Sequence, residues 1–324
     1  MQTETENITL RPLGQTGIQI SPVGMGVMEF SGGGGLIGRA FPVIAQETKN
    51  AIVQAALEGG ITWFDTAEMY GMGESERSLA AALHTAGKSD DDVVVATKWL
   101  PLLRTAGNIP KTIDDRLREL DGYSIDLYQV HQPWSFSSPE EEMNAMADLV
   151  EAGKIRSVGV SNFGPQAMRR ASRALRQRGL TLASNQVKYS LLDRKIEHDG
   201  TLDTARELGA TIIAYTPLES GLLTGKYHQP GDPQSGALAW RKWMIRRNLE
   251  RTRPLIEALE EIGRQHDATP AQVALNWLIN FHGDLVVVIP GATKVYQAQQ
   301  NAGAMAFRLS DAEMARLDEL SRRV

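Results

Sequence analysis

Polar side chains follow the ends of three predicted strands, and their types suit proton transfer. Residues 61–71 begin with apolar and β-branched residues typical of a buried strand, which closes at Asp65 and leaves Tyr70 in the following loop. Two later apolar runs end at Lys98 and at His131. A phenol has an unperturbed pKa of about 10, and a neighbouring ammonium lowers that pKa by stabilising the phenolate. The four side chains are therefore candidates for general acid–base catalysis.

Each of these residues also has an ordinary structural explanation when it is taken alone. A strand-terminal aspartate such as Asp65 often caps a turn, and a lysine at a strand end is usually solvated. His131 precedes Pro133 and could belong to a turn, and Tyr70 precedes a glycine and could be a surface aromatic. Their order at successive strand ends favours one shared site over four unrelated roles.

Eight short apolar strands alternate with helical segments along the chain, and this alternation predicts the fold. It indicates parallel βαβ units, and eight units close a (β/α)8 TIM barrel with functional side chains at the carboxyl ends of the strands. A short β-hairpin around residues 15–17 is expected before the barrel, with two extra helices beyond the eight. Residues 217–245 are expected to form a long loop. A doubly wound open sheet is the alternative architecture, and residues 1–324 are expected to form a single domain.

Composition argues against several classes of protein. The 324 residues are 42% hydrophobic and 23% charged, and the net charge of −5 argues against a nucleic-acid or anionic-membrane surface. The absence of cysteine excludes disulfides and thiolate chemistry. A polar, acidic N-terminus and the lack of any run of about 20 apolar residues predict a cytoplasmic protein. No His/carboxylate cluster has ligand spacing, so no metal is expected.

The glycines near the N-terminus do not form a dinucleotide fingerprint. No Gly-x-Gly-x-x-Gly sequence joins a strand to a helix, so a Rossmann site is not supported. Gly26 lies in a predicted first strand over residues 21–28, where the missing side chain lets a ligand approach the backbone. Four glycines at 32–35 form a loop that is either a bare connector or a part of the barrel mouth that widens or gates it.

Seven groups of residues occur along the chain in one register. Together they resemble the signatures of the aldo-keto reductase superfamily. The groups are residues 64–76, 96–98, 130–131, 159–163, 185–186 with Tyr189, 214–215 with 222–226, and 289–294 with 300–301. One such match would be weak, whereas seven in the family's order over nearly the whole chain are specific.

The resemblance implies a (β/α)8 barrel that reduces aldehydes and ketones with NADPH, which is bound extended over the mouth without a Rossmann domain. It implies that Tyr70 is the general acid, that Lys98 lowers the pKa of Tyr70, and that Asp65 pairs with Lys98. His131 would hydrogen-bond and orient the substrate oxygen. The alternative function is a cofactor-binding regulatory subunit resembling the potassium-channel β subunits, which keep this barrel and can retain the four residues.

The resemblance also assigns contacts to the cofactor. Ser161, Asn162 and Gln186 match the partners of the nicotinamide carboxamide, and Tyr215 matches the aromatic that stacks on the nicotinamide ring. Further positions match contacts to the pyrophosphate (Leu218, Ser220, Leu223, Lys226), to phosphate and the adenosine 2′-phosphate in the last loop (Gly291, Thr293, Lys294) and to the adenine (Gln300, Asn301). Gln297 departs from the pattern, because many NADP-preferring members carry Arg there. Preference for NADPH is expected, with NADH as a weaker alternative.

Substrate contacts are expected from apolar and aromatic residues beside the site. The residues expected to line the mouth are Met28, Trp99, Trp134 and Phe163. Phe30 also follows the first strand, whereas Trp240 and Trp243 either fold over the mouth or pack within their loop. Such a pocket suits a bulky or aromatic carbonyl compound, and neither nucleic acid nor membrane is expected as a partner. The oligomeric state is not encoded in the sequence.

Overall fold

The N-terminal hairpin closes one end of the barrel. The computed structural model describes residues 8–33, 43–228 and 239–324, and for residues 239–248 it describes the backbone alone. Strands β1 (Arg11–Pro12) and β2 (Gln19–Ile20) pair in an antiparallel manner, as predicted. Apolar residues of the hairpin pack with the barrel-interior residues Trp63 and Ile213. The N–H of Gly14 donates to Oγ1 of Thr211, the first residue of a barrel strand, at 2.8 Å. The hairpin therefore covers the amino ends of the strands and leaves the carboxyl ends open.

Eight parallel strands form the barrel and pair in sequence order. They are β3 (Met25–Gly26), β4 (Trp63–Asp65), β5 (Val94–Trp99), β6 (Leu127–Val130), β7 (Ser157–Ser161), β8 (Leu182–Lys188), β9 (Thr211–Tyr215) and β10 (Val286–Val288). The first and last strands are joined because the N–H of Gly24 donates to the carbonyl of Val288 at 2.8 Å and the N–H of Gly26 donates to the carbonyl of Pro290 at 3.2 Å. The predicted closed barrel is confirmed, and the open sheet is not observed.

Ten α-helices within the described ranges surround the strands. They are α1 (Gln46–Glu58), α2 (Glu74–Thr85), α3 (Ile109–Glu119), α4 (Pro139–Glu151), α5 (Pro165–Gln177), α6 (Thr201–Leu208), α7 (Ala239–Gln265), α8 (Pro270–Phe281), α9 (Val295–Gly303) and α10 (Asp311–Arg322). Two helices follow β9 and two follow β10, which accounts for the two extra helices that were expected.

The predicted long loop after β9 is wrong at its end and incomplete at its start. A 3-10 helix spans Glu219–Thr224, and α7 already begins at Ala239. The start of α7 is rich in Ala, Arg, Lys and Met, which are strong helix formers. The prediction instead assigned Trp240 and Trp243 to the loop. The side chains of Trp240 and Trp243 and the last two of the four glycines lie outside the described residues.

Alternation along β5 shows how the strands divide the core. Ala96 packs with Trp63 inside the barrel, whereas Val95 and Trp99 pack in the outer cluster between strands and helices. Lys98 shares the inward face with Ala96, because successive side chains of a strand point to opposite faces. The last inward positions of neighbouring strands are therefore brought together at the carboxyl end, where the polar residues lie.

Candidate active site

A buried ion pair joins the ends of β4 and β5. Nζ of Lys98 donates to Oδ1 of Asp65 at 2.5 Å and to the carbonyl of Thr66 at 2.7 Å, and both charged side chains are at most 2% exposed. Burial lowers the pKa of Lys98, whereas the Asp65 carboxylate opposes this shift. The predicted pairing of Asp65 with Lys98 is present in the structure.

The second oxygen of Asp65 accepts hydrogen bonds from two glutamines. Nε2 of Gln129 lies 3.1 Å from Oδ2, and Nε2 of Gln186 lies 2.9 Å from it. Gln129 was missed in the sequence, although it precedes His131 by two residues and therefore shares its face of the strand. The carboxylate thus accepts hydrogen bonds from one ammonium and two amides, and these three bonds fix its orientation.

Tyr70 lies in a tight turn above this pair. Its N–H donates to the carbonyl of Ala67 at 3.0 Å. Gly71 follows with φ of +68°, and a Cβ there would lie 2.7 Å from the carbonyl oxygen of Ser31, so only glycine fits. The ammonium of Lys98 is 5.1 Å from the centre of the Tyr70 ring. No residue in the described part of the chain hydrogen-bonds the Tyr70 hydroxyl, which leaves it available to a ligand.

The pKa of Tyr70 departs from the expected direction. Burial raises this pKa well above its usual value, and the nearby charges of Asp65 and Glu29 raise it further. The sequence predicts a lowering by Lys98, but the Lys98 charge is matched by Asp65, and loss of water disfavours the phenolate. The phenol is therefore protonated at neutral pH and is a weaker acid than a free phenol.

His131 meets Tyr70 edge to face, with ring centroids 5.6 Å apart and an interplanar angle of 84°. Burial, reinforced by the charge of Lys98, lowers the pKa of His131 to about 3. The ring is therefore neutral at physiological pH. Its Nδ1 is buried without a hydrogen-bond partner among the described residues, and Nε2 makes no hydrogen bond there either. A neutral ring with unengaged nitrogens can donate one N–H to a substrate oxygen.

The residues assigned to the carboxamide form one hydrogen-bonded group. The hydroxyl of Ser161 donates to the carbonyl of Gln186 at 2.9 Å, and Nδ2 of Asn162 donates to the Ser161 oxygen at 3.0 Å. The Tyr215 hydroxyl donates to Oδ1 of Asn162 at 3.0 Å. Asn185, adjacent to Gln186, instead donates to the carbonyl of Phe163 at 2.8 Å. The structure thus brings four predicted residues together at the mouth, namely Ser161, Asn162, Gln186 and Tyr215. Asn185 instead fixes the loop after β7.

The loop after β9 has unusual backbone geometry. Glu219 and Ser220 have φ of +47° and +53°, and Gly221 continues at +88°. Lys226 is exposed, and a Cβ at Gly221 would lie 2.6 Å from its Nζ, so the ammonium rests on the loop backbone. Leu218 is half-buried, whereas Leu223 is fully buried, so Leu223 can offer a ligand its backbone alone.

The loop after β10 is stabilised by Gln297. Its Oε1 accepts hydrogen bonds from the N–H of Thr293 at 2.8 Å and from the N–H of Lys294 at 3.1 Å. It thereby caps the start of α9 with its own side chain. Nδ2 of Asn301 donates to the carbonyl of Gly291 at 3.3 Å, while Lys294 is exposed and Gln300 is half-buried. The predicted adenosine-end residues lie on one loop and one helix.

Glu29 is a site residue that the sequence did not reveal. A Cβ at the exposed Gly291 would lie 2.4 Å from Oε1 of Glu29, so the carboxyl group fills the space beside that glycine. Burial raises the pKa of Glu29 to about 7. No cation lies within ion-pair distance of it among the described side chains. Glu29 lies in the 3-10 helix Met28–Ser31, which is too short to show a hydrophobic periodicity in the sequence.

The substrate predictions are corrected in part. Trp99 and Phe163 are 0% and 2% exposed and lie in the outer core, so they do not line an open mouth. Trp99 is turned away because it alternates with the inward Lys98. Phe30 is also buried. Met28 is half-buried and Trp134 is 55% exposed, so these two retain accessible surface.

Among the side chains of the described residues, no group of three or more His, Asp or Glu residues has the geometry to hold a metal ion. None of the helices in the described ranges is both long enough and apolar enough to cross a bilayer.

Known proteins match the chain in both sequence and structure. The model of the Aldo/keto reductase family matches residues 22–322. An uncharacterised oxidoreductase of Mycobacterium tuberculosis is 38% identical over 292 residues, which cover 90% of this chain and 86% of that protein. The aldo-keto reductase yakc of Schizosaccharomyces pombe, which is named for NADP(+), is 32% identical over 292 residues, which cover 85% of this chain and 83% of that protein. The solved structure of the glycerol dehydrogenase from Gluconobacter oxydans has a TM-score of 0.81 at 27% identity and covers 98% of this chain and 97% of that chain. The chain therefore belongs to the aldo/keto reductase family of oxidoreductases.

Proposed function

We propose that this protein reduces aldehydes and ketones to alcohols with NADPH, and that Tyr70 is the general acid. One observation carries the proposal: the Tyr70 ring lies 5.1 Å from the ammonium of the buried Lys98–Asp65 pair and 5.6 Å from the neutral ring of His131, and its hydroxyl has no hydrogen-bond partner among the described residues. All four side chains lie at the carboxyl ends of neighbouring parallel strands, where barrels hold their reactive groups.

The described residues fit a nicotinamide dinucleotide. Ser161 and Asn162 offer a hydroxyl and an amide in one cluster bonded to the backbone of Gln186, which suits a carboxamide that both donates and accepts. Lys226 and Lys294 are exposed, and neither forms an ion pair within the described part of the chain, so both ammonium groups are available to phosphates. We therefore assign the nicotinamide to the first group, and the phosphates to the loops after β9 and β10. The chemistry that the bound cofactor supplies is hydride donation to the carbonyl carbon.

The side chains of this protein would act on the carbonyl oxygen. His131, being neutral, donates a hydrogen bond that places the oxygen beside Tyr70. As negative charge develops on that oxygen, the phenol of Tyr70 transfers its proton to it. The ammonium of Lys98 then stabilises the phenolate, and Asp65 holds Lys98 in position. Tyr70 is protonated at neutral pH, as any phenol is. Because its raised pKa makes it a weaker acid, the proton transfer depends on the Lys98 ammonium stabilising the phenolate as it forms.

Preference for NADPH over NADH is supported by Lys294 and by the relative named for NADP(+). Gln297 opposes a strong preference, because its Oε1 already occupies the N–H groups of Thr293 and Lys294 that a 2′-phosphate would use. We propose a preference that rests mainly on the Lys294 charge. No observation on the described residues favours the channel-type regulatory subunit, so carbonyl reduction is the one function proposed.

The proposal is tested by turnover. Purified protein is mixed with NADPH and a panel of aliphatic and aromatic aldehydes, and loss of nicotinamide absorbance is followed with and without substrate. Substrate-dependent oxidation with alcohol formation is the expected result. Binding of NADPH without oxidation across the whole panel would instead support a regulatory, non-catalytic protein.

A further inference from the structure

Large apolar side chains are exposed in the three loops that follow β4, β5 and β6. They are Met72, Leu102, Leu103, Trp134 and Phe136, and they are exposed by between 53% and 77%. We call these five residues the apolar rim. The rim contains five of the eight large apolar side chains that are exposed in the described part of the chain. Since β4, β5 and β6 also lead to Tyr70, Lys98 and His131, the rim lies beside the candidate active site.

Two hydrogen bonds tie two loops of the rim, those after β5 and β6, to each other. The N–H of Phe136 donates to the carbonyl of Arg104 at 2.9 Å. The N–H of Ala106 donates to Oγ of Ser137 at 3.0 Å. The loops after β5 and β6 are therefore joined by one backbone–backbone and one backbone–side-chain hydrogen bond, and we expect them to move as one unit.

Glu68 attaches this unit to the turn that carries Tyr70. The carboxylate is 4% exposed, and Oε2 accepts the N–H of Leu100 at 2.9 Å. Oε1 accepts from Nη1 of Arg104 at 2.7 Å. Both are charge-assisted hydrogen bonds, which are stronger than neutral ones. Glu68 precedes Tyr70 by two residues, so one turn holds both the acid and the rim.

Leu103 shows that the rim is held against its intrinsic preferences. It has φ of +57° and is 77% exposed, and left-handed backbone is uncommon for a branched side chain. The segment that contains Leu103 is fixed on both sides, because Glu68 accepts hydrogen bonds from Leu100 and from Arg104. Strained backbone that the surroundings impose is frequent at ligand sites. Exposed apolar side chains gathered on neighbouring loops also indicate a binding surface.

We propose that Glu68 positions the apolar rim as a subsite for the apolar tail of the carbonyl substrate. The enzyme should then prefer carbonyl compounds with long aliphatic or aryl-alkyl tails over short ones. The inference rests on the proposed carbonyl reduction. The tail of the substrate is the favoured occupant, because the rim loops follow the strands that lead to the acid–base residues and Glu68 ties them to the turn of Tyr70. Glu68 is a positioning residue in this proposal, since it acts through the loops.

A series of straight-chain aldehydes from propanal to nonanal, at saturating NADPH, tests the subsite. We expect kcat/KM to rise by about two- to four-fold per methylene, the larger factor corresponding to full burial of each group. Replacing both leucines, as Leu102→Ser with Leu103→Ser, should lower the ratio of nonanal to propanal kcat/KM roughly ten-fold or more. Leu10→Ser is the matched control, because Leu10 is 43% exposed next to the hairpin at the other end of the barrel.

The positioning role of Glu68 is tested separately. Arg104→Met should raise KM for nonanal more than it lowers kcat, and Arg104→Lys should restore part of the KM. Glu68→Gln should likewise raise KM for nonanal more than it lowers kcat. A merely structural role would instead lower the melting temperature and reduce kcat for every aldehyde alike, without rescue by lysine.

The outcomes separate this inference from the proposed function. No NADPH oxidation with any aldehyde overturns carbonyl reduction itself. Oxidation with no dependence on chain length, or with the same dependence in the leucine variants, overturns the subsite and leaves carbonyl reduction standing. If the leucine variants keep the chain-length dependence but change the mass of the particle in solution, the rim packs against a second copy of the chain, and the subsite is overturned.

Discussion

Gln186 donates a hydrogen bond from Nε2 to Oδ2 of Asp65 at 2.9 Å. The other oxygen of this carboxylate accepts from Lys98. Gln186, which is assigned to the nicotinamide, and Lys98, which is assigned to proton transfer, therefore both hydrogen-bond the buried Asp65. Changes at Asp65 should affect cofactor binding and turnover together.

Asp65→Asn should be strongly destabilising. It leaves the Lys98 ammonium buried without its counter-ion, and breaking a buried pair in this way usually costs about 3–5 kcal/mol. Urea unfolding of the wild type and the variant measures this loss, and NADPH titration and turnover should both weaken. Adding Lys98→Met should recover part of the stability but no turnover. A change in unfolding free energy near zero for Asp65→Asn would show that the pair is not the buried element described here.

Lys294→Ala should distinguish NADPH from NADH. The adenosine 2′-phosphate is anionic and NADH has a hydroxyl there, so the ammonium acts mainly on NADPH. Charge-assisted hydrogen bonds to phosphate are about twice as strong as neutral ones, and we expect NADPH affinity to fall roughly ten-fold. NADH affinity should change little, and added salt should reduce the wild-type preference.

Fluorescence titrations with both cofactors measure the effect of Lys294→Ala. Lys111→Ala serves as the control, because Lys111 is an exposed lysine on α3. Equal losses for NADPH and NADH would mean that Lys294 does not read the 2′-phosphate, and the preference would then have to arise from Thr293 or another residue.

The pH dependence of stability should reveal the neutral state of His131. Its pKa falls from 6.5 to about 3 in the fold, so below pH 6.5 the unfolded chain binds a proton that the folded chain does not. His131 therefore destabilises the fold progressively as the pH falls from about 6.5 towards 3, by about 1.4 kcal/mol per pH unit. His131→Gln removes this contribution, so the variant should gain about 2 kcal/mol relative to wild type between pH 7 and pH 5. A constant difference between the two proteins over this range, measured by urea unfolding, would argue against a buried neutral ring.

Glu29 should have the opposite dependence on pH. Its pKa is raised from 4.5 to about 7, so the folded chain binds more protons than the unfolded chain between these values. Wild-type stability from this group is therefore lost as the pH rises from about 4.5 to 7 and stays lost above it. Glu29→Gln should be relatively more stable than wild type at pH 8 than at pH 5. It should also lower the pKa of Tyr70, since the Glu29 charge helps to raise it. Parallel unfolding curves of the two proteins at both pH values would contradict the assignment.

The sequence predicted the architecture well, because strand and helix periodicity is a local property. The hairpin, the eight strands and the two extra helices are all present, although several strands are shorter than expected. The strand predicted over residues 61–65, for example, spans only Trp63–Asp65. Helices α5 and α8 each begin at a proline, whose fixed φ suits the first helical position, so their starts are marked in the sequence.

The candidate site was predicted less completely, because burial and facing depend on the assembled barrel. Trp99 was expected at the mouth because it follows Lys98, but adjacent residues of a strand face opposite ways. Gln129 was missed although the same rule places it inside. The pKa of Tyr70 could not be read from the motif, since it depends on burial and on Glu29, a residue distant in sequence.

The most direct test of the account is the comparison of Tyr70→Phe with Tyr128→Phe. Tyr128 is a fully buried tyrosine of β6 whose hydroxyl has no hydrogen-bond partner in the described structure, so it controls for loss of a phenol elsewhere. We predict that Tyr70→Phe lowers kcat for an unactivated aldehyde by about 10²-fold or more, because the proton donor is gone, while the Kd for NADPH stays within about two-fold. Tyr128→Phe should retain turnover. If Tyr70→Phe reduces the aldehyde at close to the wild-type rate, Tyr70 is not the general acid and the proposed mechanism is wrong.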